Sequence, residues 1–344
     1  MYLRLARSGT VLGAAAVSSY GLRRNDATCA SYTGGKISKL REEEFPLTIH
    51  HHGKAKVRVL KVRHNSDGGV EGGEKHSVSE FTVHTKLFSP EYAKVFTGED
   101  NDSLVATDTQ KNTVYVIAKR TAAESPEQFG LDLAKHFLRT YPVLTAAEVE
   151  VEECLWERAS VDGQPHDHAF TKVSPERACA VVRLARGAEE LPHVKSSIRG
   201  MTVLKTTQSG FSDYLKDSYT LLPDTDDRCL ATELSAEWTF NGRCVDYSKA
   251  RAEVRAKLLK GIFGPSHQGV FSVSLQATIY DAACLALSAV PELESINIST
   301  PNIHYLPTGQ LLERLKVVKP GETVRDVFIP TSEPSGTIFC EVKR

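Results

Sequence analysis

Residues 125–156 read SPEQFGLDLAKHFLRTYPVLTAAEVEVEECLW, and this stretch contains the two patterns from which the rest of the chain is built. Ser125-Pro126-Glu127-Gln128 is a helix start, with a serine cap, proline at the first helical position and glutamine three residues after the cap. Phe129, Leu133, Phe137 and Tyr141 then recur every fourth residue, giving a helix one apolar stripe. Past that helix, residues 149–156 read as a strand, and residues 177–184 supply a second.

Upstream, residues 56–63 place apolar side chains at Val57, Val59, Leu60 and Val62 and read as a strand. A turn-like segment at residues 65–75 holds four glycines, and residues 79–88 follow with Phe81, Val83 and Leu87 on one face. The two strands form a hairpin. Residues 112–119 suit a helix by position and a strand by their β-branched content. Downstream the order repeats: residues 202–206 and 232–240 are strand-like. Residues 248–260 and 272–287 are helical, the second with Leu275, Ile279 and Cys284 inward. Residues 296–303 and 337–342 close the sheet. Two consecutive units of hairpin, helices and hairpin predict an α+β fold, antiparallel sheets with helices on one face. Such an open sheet exposes edges, and closure into a barrel on oligomerisation is one physical answer. The predicted division is an N-terminal extension at 1–46, a first unit at 47–190 and a second at 191–344.

The chain has 344 residues, 41% hydrophobic and 25% charged, with a formal net charge of -1. That balance offers no footprint for nucleic acid. No apolar run approaches the roughly 20 residues that cross a bilayer, so a soluble protein is expected. The seven cysteines (Cys29, Cys154, Cys179, Cys229, Cys244, Cys284 and Cys340) are odd in number and form no C-x-x-C pair. They read as reduced thiols, mostly buried, rather than as a disulfide framework or a zinc knuckle. Arg4, Arg7, Arg23 and Arg24, with no acidic residue before Asp26, give the start the composition of an organelle transit peptide. A disordered extension without an address has the same composition.

The most specific segment is residues 204–228, LKTTQSGFSDYLKDSYTLLPDTDDR. Four more blocks accompany it: residues 105–113 (VATDTQKNT), 162–170 (DGQPHDHAF), 274–280 (SLQATIY) and 301–305 (PNIHY). In this order the five blocks resemble those of the urate oxidase family, from about residue 50 to the C-terminus. The resemblance implies two tandem tunnelling-fold units in a homotetramer, acting on urate with O2 and water and using neither a metal nor an organic cofactor. It assigns Lys54, Thr107 and His304 to catalysis. Thr107, Asp108, Phe211, Arg228, Leu275, Gln276 and Asn302 are assigned to the substrate, with Asn302 holding oxygen, peroxide or water above the ring. It also implies a site shared between subunits, with Lys54, Thr107 and Asp108 from one chain and the rest from its neighbour.

The residue types suit those roles. Urate is a flat, electron-rich anion with hydrogen-bonding atoms on its rim. Arg228 can present a guanidinium fork to one edge and Gln276 an amide to the other. Phe211 can stack on the ring. Leu275 stands where many relatives carry valine, a change that a main-chain contact tolerates. A threonine such as Thr107 accepts protons poorly unless an amine relays them, which is the part left to Lys54. His304 fits as a third relay member.

Each residue taken singly also has an ordinary role: a surface ion pair for Arg228, core packing for Phe211, solvent-facing polarity for Gln276 and Lys54. Three consecutive histidines, His50, His51 and His52, cannot easily converge on one metal, and His166 and His168 read as structural packing. The dinucleotide, triphosphate and zinc-protease motifs are missing. The rival readings are a zinc-dependent pterin- or purine-processing relative and a catalytically silent urate- or purine-binding protein. For location, the family resemblance implies the peroxisome, although the last residues, Glu341-Val342-Lys343-Arg344, are not S-K-L. The arginine-rich start suits a mitochondrial address equally.

Overall fold

Phe81, Val83, Thr85 and Leu87 alternate along strand β2 (Lys75–Phe88) and all four are buried, as a strand with one face on a core requires. Its neighbour β1 (His52–Asn65) buries Val57 on that same side, while Leu60 and Val62 are exposed. The computed structural model describes residues 45–65, 75–98, 100–187, 192–242 and 245–344. The arginine-rich start, most of the predicted linker, the glycine-rich turn, Cys29 and Cys244 lie outside the described residues.

The sheet continues through β3 (Ala146–Val161) and β4 (Gln164–Ala185), joined by the two-residue turn Asp162-Gly163. Both turn residues have positive φ, 52° and 75°, which suits the twist of a tight hairpin. It then runs through β5 (His193–Lys205), β6 (Leu230–Phe240), β7 (Leu293–Ser299) and β10 (Phe339–Lys343), each antiparallel to its neighbour. β8 (Asn302–Pro307) branches off, pairing with the start of β6 and with β9 (Phe328–Thr331). Among the described strands β1 and β10 end the sheet unpaired on their outer sides, so it does not close on itself.

Six helices are described: α1 (Tyr92–Thr97), α2 (Thr107–Arg120), α3 (Pro126–Thr140), α4 (Tyr247–Phe263), α5 (Leu275–Ala289) and α6 (Gly309–Arg314). The segment left open at residues 112–119 is therefore helix. Ser125 caps α3, its Oγ accepting the Gln128 N–H at 3.2 Å. Gln128 does not return the bond; its side chain donates to Asp132 at 2.9 Å. Phe129, Leu133 and Phe137 are buried in a first core with β1–β4. Leu234, Trp238, Val254, Leu258 and Ile279 belong to a second, under β5–β7. The pairings Val182 with Val194 and Ala178 with Ile198 place both cores on one face of the sheet, where the helices pack.

A buried ionic group joins the cores. Glu127 of α3 is fully buried, paired with Arg251 of α4 and accepting the Ser196 hydroxyl at 2.6 Å. Nearby, burial pushes the Glu153 carboxyl up to about 7, with Glu127 reinforcing the shift and Arg251, Ser79 and Arg63 opposing it.

Three expectations are corrected. Residues 296–303 are not one strand: the chain breaks at Thr300-Pro301, where proline has no N–H for the ladder and the Pro301 carbonyl accepts from Thr232 and Glu233. Cys284 is only half-buried, because Ala282, Ala283 and Ala286 occupy the inward positions of α5. Of the described cysteines only Cys179 is buried; all five are free thiols.

Candidate active site

The loop between β5 and β6 holds the signature segment, and backbone bonds zip it to itself and to the segment at Ser272. Phe211 and Thr225 exchange N–H···O bonds of 2.8 and 3.0 Å. The Arg228 N–H donates to the Ser209 carbonyl at 2.8 Å, Gly210 to Ser272 and Ser272 to Gln208, both at 2.9 Å. Gly210 fits closely at this crossing, where a Cβ would stand 3.0 Å from the Thr225 carbonyl oxygen and the Phe271 ring. Asp227 braces the turn, accepting the Thr207 hydroxyl at 2.8 Å, and its other carboxylate oxygen pairs with Arg325 at 3.4 Å.

These contacts border a cavity of about 780 Å³ whose lining includes Phe211, Arg228, Leu275, Asn302 and His304. The Arg228 guanidinium carbon lies 5.2 Å from the Phe211 ring centroid, so a cation and an aromatic face adjoin. Burial lowers the Arg228 pKa, and its Nε is buried with no hydrogen-bond partner. Asn302 Oδ1 is likewise buried and unpartnered. Buried polar atoms are nearly always satisfied, so two orphans bordering one cavity point to a ligand with donor and acceptor atoms. Leu275 and Gln276 open α5, whose cap Ser274 accepts the Ala277 N–H at 3.1 Å. Leu275 is buried and Gln276 exposed at the helix N-terminus, where backbone N–H groups are free.

Lys54, Thr107 and Asp108 are gathered elsewhere. None of the three lines the cavity. Thr107 begins α2 and is half-buried; the next residue, Asp108, is exposed and paired with Lys111 at 2.6 Å. Lys111 holds the Asp108 carboxyl below its usual range, with smaller contributions from Asn112 and the Lys54 charge. Lys54 thus lies within electrostatic reach of the start of α2. Five predicted residues thus line the cavity, Gln276 stands next to them at the start of α5 without lining it, and Lys54, Thr107 and Asp108 form a second cluster.

The three consecutive histidines do not converge. The His50 ring contacts Phe96, His51 contacts Phe88 and His52 contacts Tyr92. His166 and His168 stand 4.6 Å apart between centroids, with His76 5.9 Å from His168. Among the described residues no three His, Cys, Asp or Glu side chains form a group that could hold a metal ion. Sequence reasoning missed Tyr214, which stacks on Phe211 at 4.8 Å and 10°. Two aromatics three residues apart in the signature segment were the available signal.

The uricase family model matches residues 50–183 and 194–339. Uricase-2 from Phaseolus vulgaris is 38% identical over 302 residues, covering 85% of this chain and 94% of its own length. The uricase of Arabidopsis thaliana is 39% identical over 305 residues, with the same coverage. Among solved structures, the uricase from Arthrobacter globiformis superposes with a TM-score of 0.74 at 31% identity, covering 87% of this chain and 95% of that one.

Proposed function

The chain belongs to the uricase (urate oxidase) family, and from that premise we propose that it oxidises urate at a site completed by two copies of the chain. In the net reaction urate, O2 and water give 5-hydroxyisourate and hydrogen peroxide. Urate surrenders two electrons to O2, two protons accompany them to make peroxide, and the oxygen of water adds to the oxidised ring. Urate is itself the reductant, so the reading calls for no metal or organic cofactor.

In this reading Arg228 grips one edge of the anion, Gln276 and the main chain at Leu275 the other, and Phe211, backed by Tyr214, meets the ring face. Asn302 Oδ1 faces the position taken by oxygen, peroxide or water. Lys54, through Thr107, accepts a proton from substrate or water, with His304 as the third member. Asp108 stands beside Thr107.

The single observation that carries the proposal is that Phe211, Arg228, Leu275, Asn302 and His304 line one cavity while Lys54, Thr107 and Asp108 lie outside it. The exposed apolar side chains Leu215, Tyr219 and Leu221 beside the site, and the open ends of the sheet, favour a covering copy. The assembly proposed is a homotetramer of paired tunnelling-fold units, 47–190 and 191–344, supported by the two cores. For location we propose the peroxisome, on family likeness, with imaging of a fluorescently tagged chain as the test.

Complementation tests the shared site. Lys54→Met and Arg228→Ala are each expected to be inactive alone. Mixed oligomers pair an intact Lys54 half with an intact Arg228 half in about a quarter of sites, and should recover about that fraction of wild-type turnover. Turnover is followed by urate absorbance and oxygen uptake together, with and without a strong chelator. No recovery in mixed oligomers overturns the shared site, and loss of wild-type activity to the chelator overturns the cofactor-free reading.

A further inference from the structure

The backbone beneath Lys54 is tied to the start of α2 by a chain of buried polar groups that no catalytic role accounts for. Thr85 Oγ1, almost wholly buried in β2, accepts the Lys54 N–H at 3.1 Å. The same hydroxyl donates to Gln110 Oε1 at 2.7 Å. Gln110, with no exposed surface, donates from Nε2 to the Val105 carbonyl at 3.0 Å, two residues before Thr107. Every link is closed, and each amide atom of Gln110 has an assigned partner. The link therefore fixes a separation as well as filling space.

The same two strands also meet closely one residue earlier. A Cβ at Gly53 would stand 2.0 Å from the Thr85 carbonyl oxygen, so the two backbones touch there. Register then shifts between Lys54 and Val57, with Lys56 at φ 57°. Such a bulge re-aims the neighbouring side chains, and bulges gather beside functional sites. Lys54 and Thr107 thus emerge from two segments, one strand and one helix start, joined through Thr85 and Gln110.

We propose that Thr85 and Gln110 are positioning residues that set the approach of the Lys54 amine to the Thr107 hydroxyl, and through it the rate of proton transfer. This rests on the Lys54–Thr107 reading given above. The physical reason is the narrow range of a relay: proton transfer needs heavy atoms about 2.6–3.2 Å apart. A displacement of about 1 Å at a reacting group can cost ~100-fold in rate. Most of the residues assigned to urate belong to the other cluster, so loosening the tether slows chemistry far more than it weakens binding.

The test uses the assembled full-length enzyme carrying Thr85→Val, Thr85→Ser, Gln110→Met or Lys54→Met. Urate is bound without oxygen, its affinity measured, and the loaded enzyme mixed with oxygenated buffer so that only urate-loaded sites are counted. Thr85→Val and Gln110→Met are expected to slow oxidation per bound urate by ~10- to 100-fold and to shift its pH profile. Affinity should stay within about 2-fold, and Thr85→Ser should restore the wild-type rate. A wild-type rate per bound urate in Thr85→Val and Gln110→Met, with Lys54→Met inactive, overturns the positioning role alone. Proportional loss of binding and rate also overturns it. A fully active Lys54→Met overturns the underlying dyad reading and the tether with it. Should Thr85→Val fail to assemble, Gln110→Met, which leaves the Thr85–Lys54 bond in place, carries the same comparison.

Discussion

Glu153 contributes to this protein's stability with a pH dependence opposite in direction to that of most carboxylates. Its side chain lies on β3 among Ser79, Glu127, Arg251 and Arg63, and burial pushes its pKa from 4.5 to about 7. The folded protein therefore holds this proton more tightly than the unfolded chain does. The contribution of Glu153 to stability is greatest below about 4.5, is lost as pH rises through about 7, and is level above that. A rise of this size corresponds to roughly 3 kcal/mol per chain at most, since one pKa unit is about 1.4 kcal/mol. Glu153→Gln keeps the shape and a hydrogen-bonding amide while removing the charge. At pH 8 it should raise the melting temperature by roughly 5 °C for a chain of this length. At pH 5 it should match the wild type closely. Melting is to be compared at one protein concentration, because assembly makes the midpoint concentration-dependent. If Glu153→Gln melts no higher than wild type at pH 8, or the two proteins respond to pH in parallel, burial is not what governs this carboxyl.

Three further outcomes are expected. Arg228→Gln replaces the guanidinium fork with a neutral amide and should weaken anaerobic urate binding ~100-fold, measured by equilibrium titration. Gly261→Ala would bring a Cβ within 2.6 Å of Ala282 where α4 and α5 cross, and should cost ~1–3 kcal/mol in a denaturation experiment. Cys179, buried with its pKa pushed up to about 12, should stay unmodified by a water-soluble thiol reagent at pH 8 until the protein unfolds, as peptide mass mapping would show.

Much of the fold is legible because the sheet has one buried face. Phe81, Val83 and Leu87 must alternate with polar residues, and Phe129, Leu133 and Phe137 must recur at helical spacing, whatever the rest of the molecule does. The ends of the strands were less visible. β3 and β4 run well beyond residues 149–156 and 177–184 because their extensions carry charged and histidine side chains, which alternation does not flag. The cavity residues Phe211, Arg228, Asn302 and His304 were legible as types in a signature, since a flat anion asks for a cation, a ring and paired donors and acceptors.

Other features depend on burial, which a linear pattern cannot report for a polar residue. Gln110 reads as one more polar residue of α2 and Glu127 as part of a helix start; both have no exposed surface and join segments distant in the chain. Local periodicity, caps and residue chemistry, which act over a few residues, thus determined the elements and the character of the site from the sequence alone. Only the tertiary structure decided which polar groups are desolvated together and that the predicted residues form two separate clusters. Those outcomes rest on contacts between residues tens to more than a hundred positions apart, whose energy exists only once the chain has closed on itself.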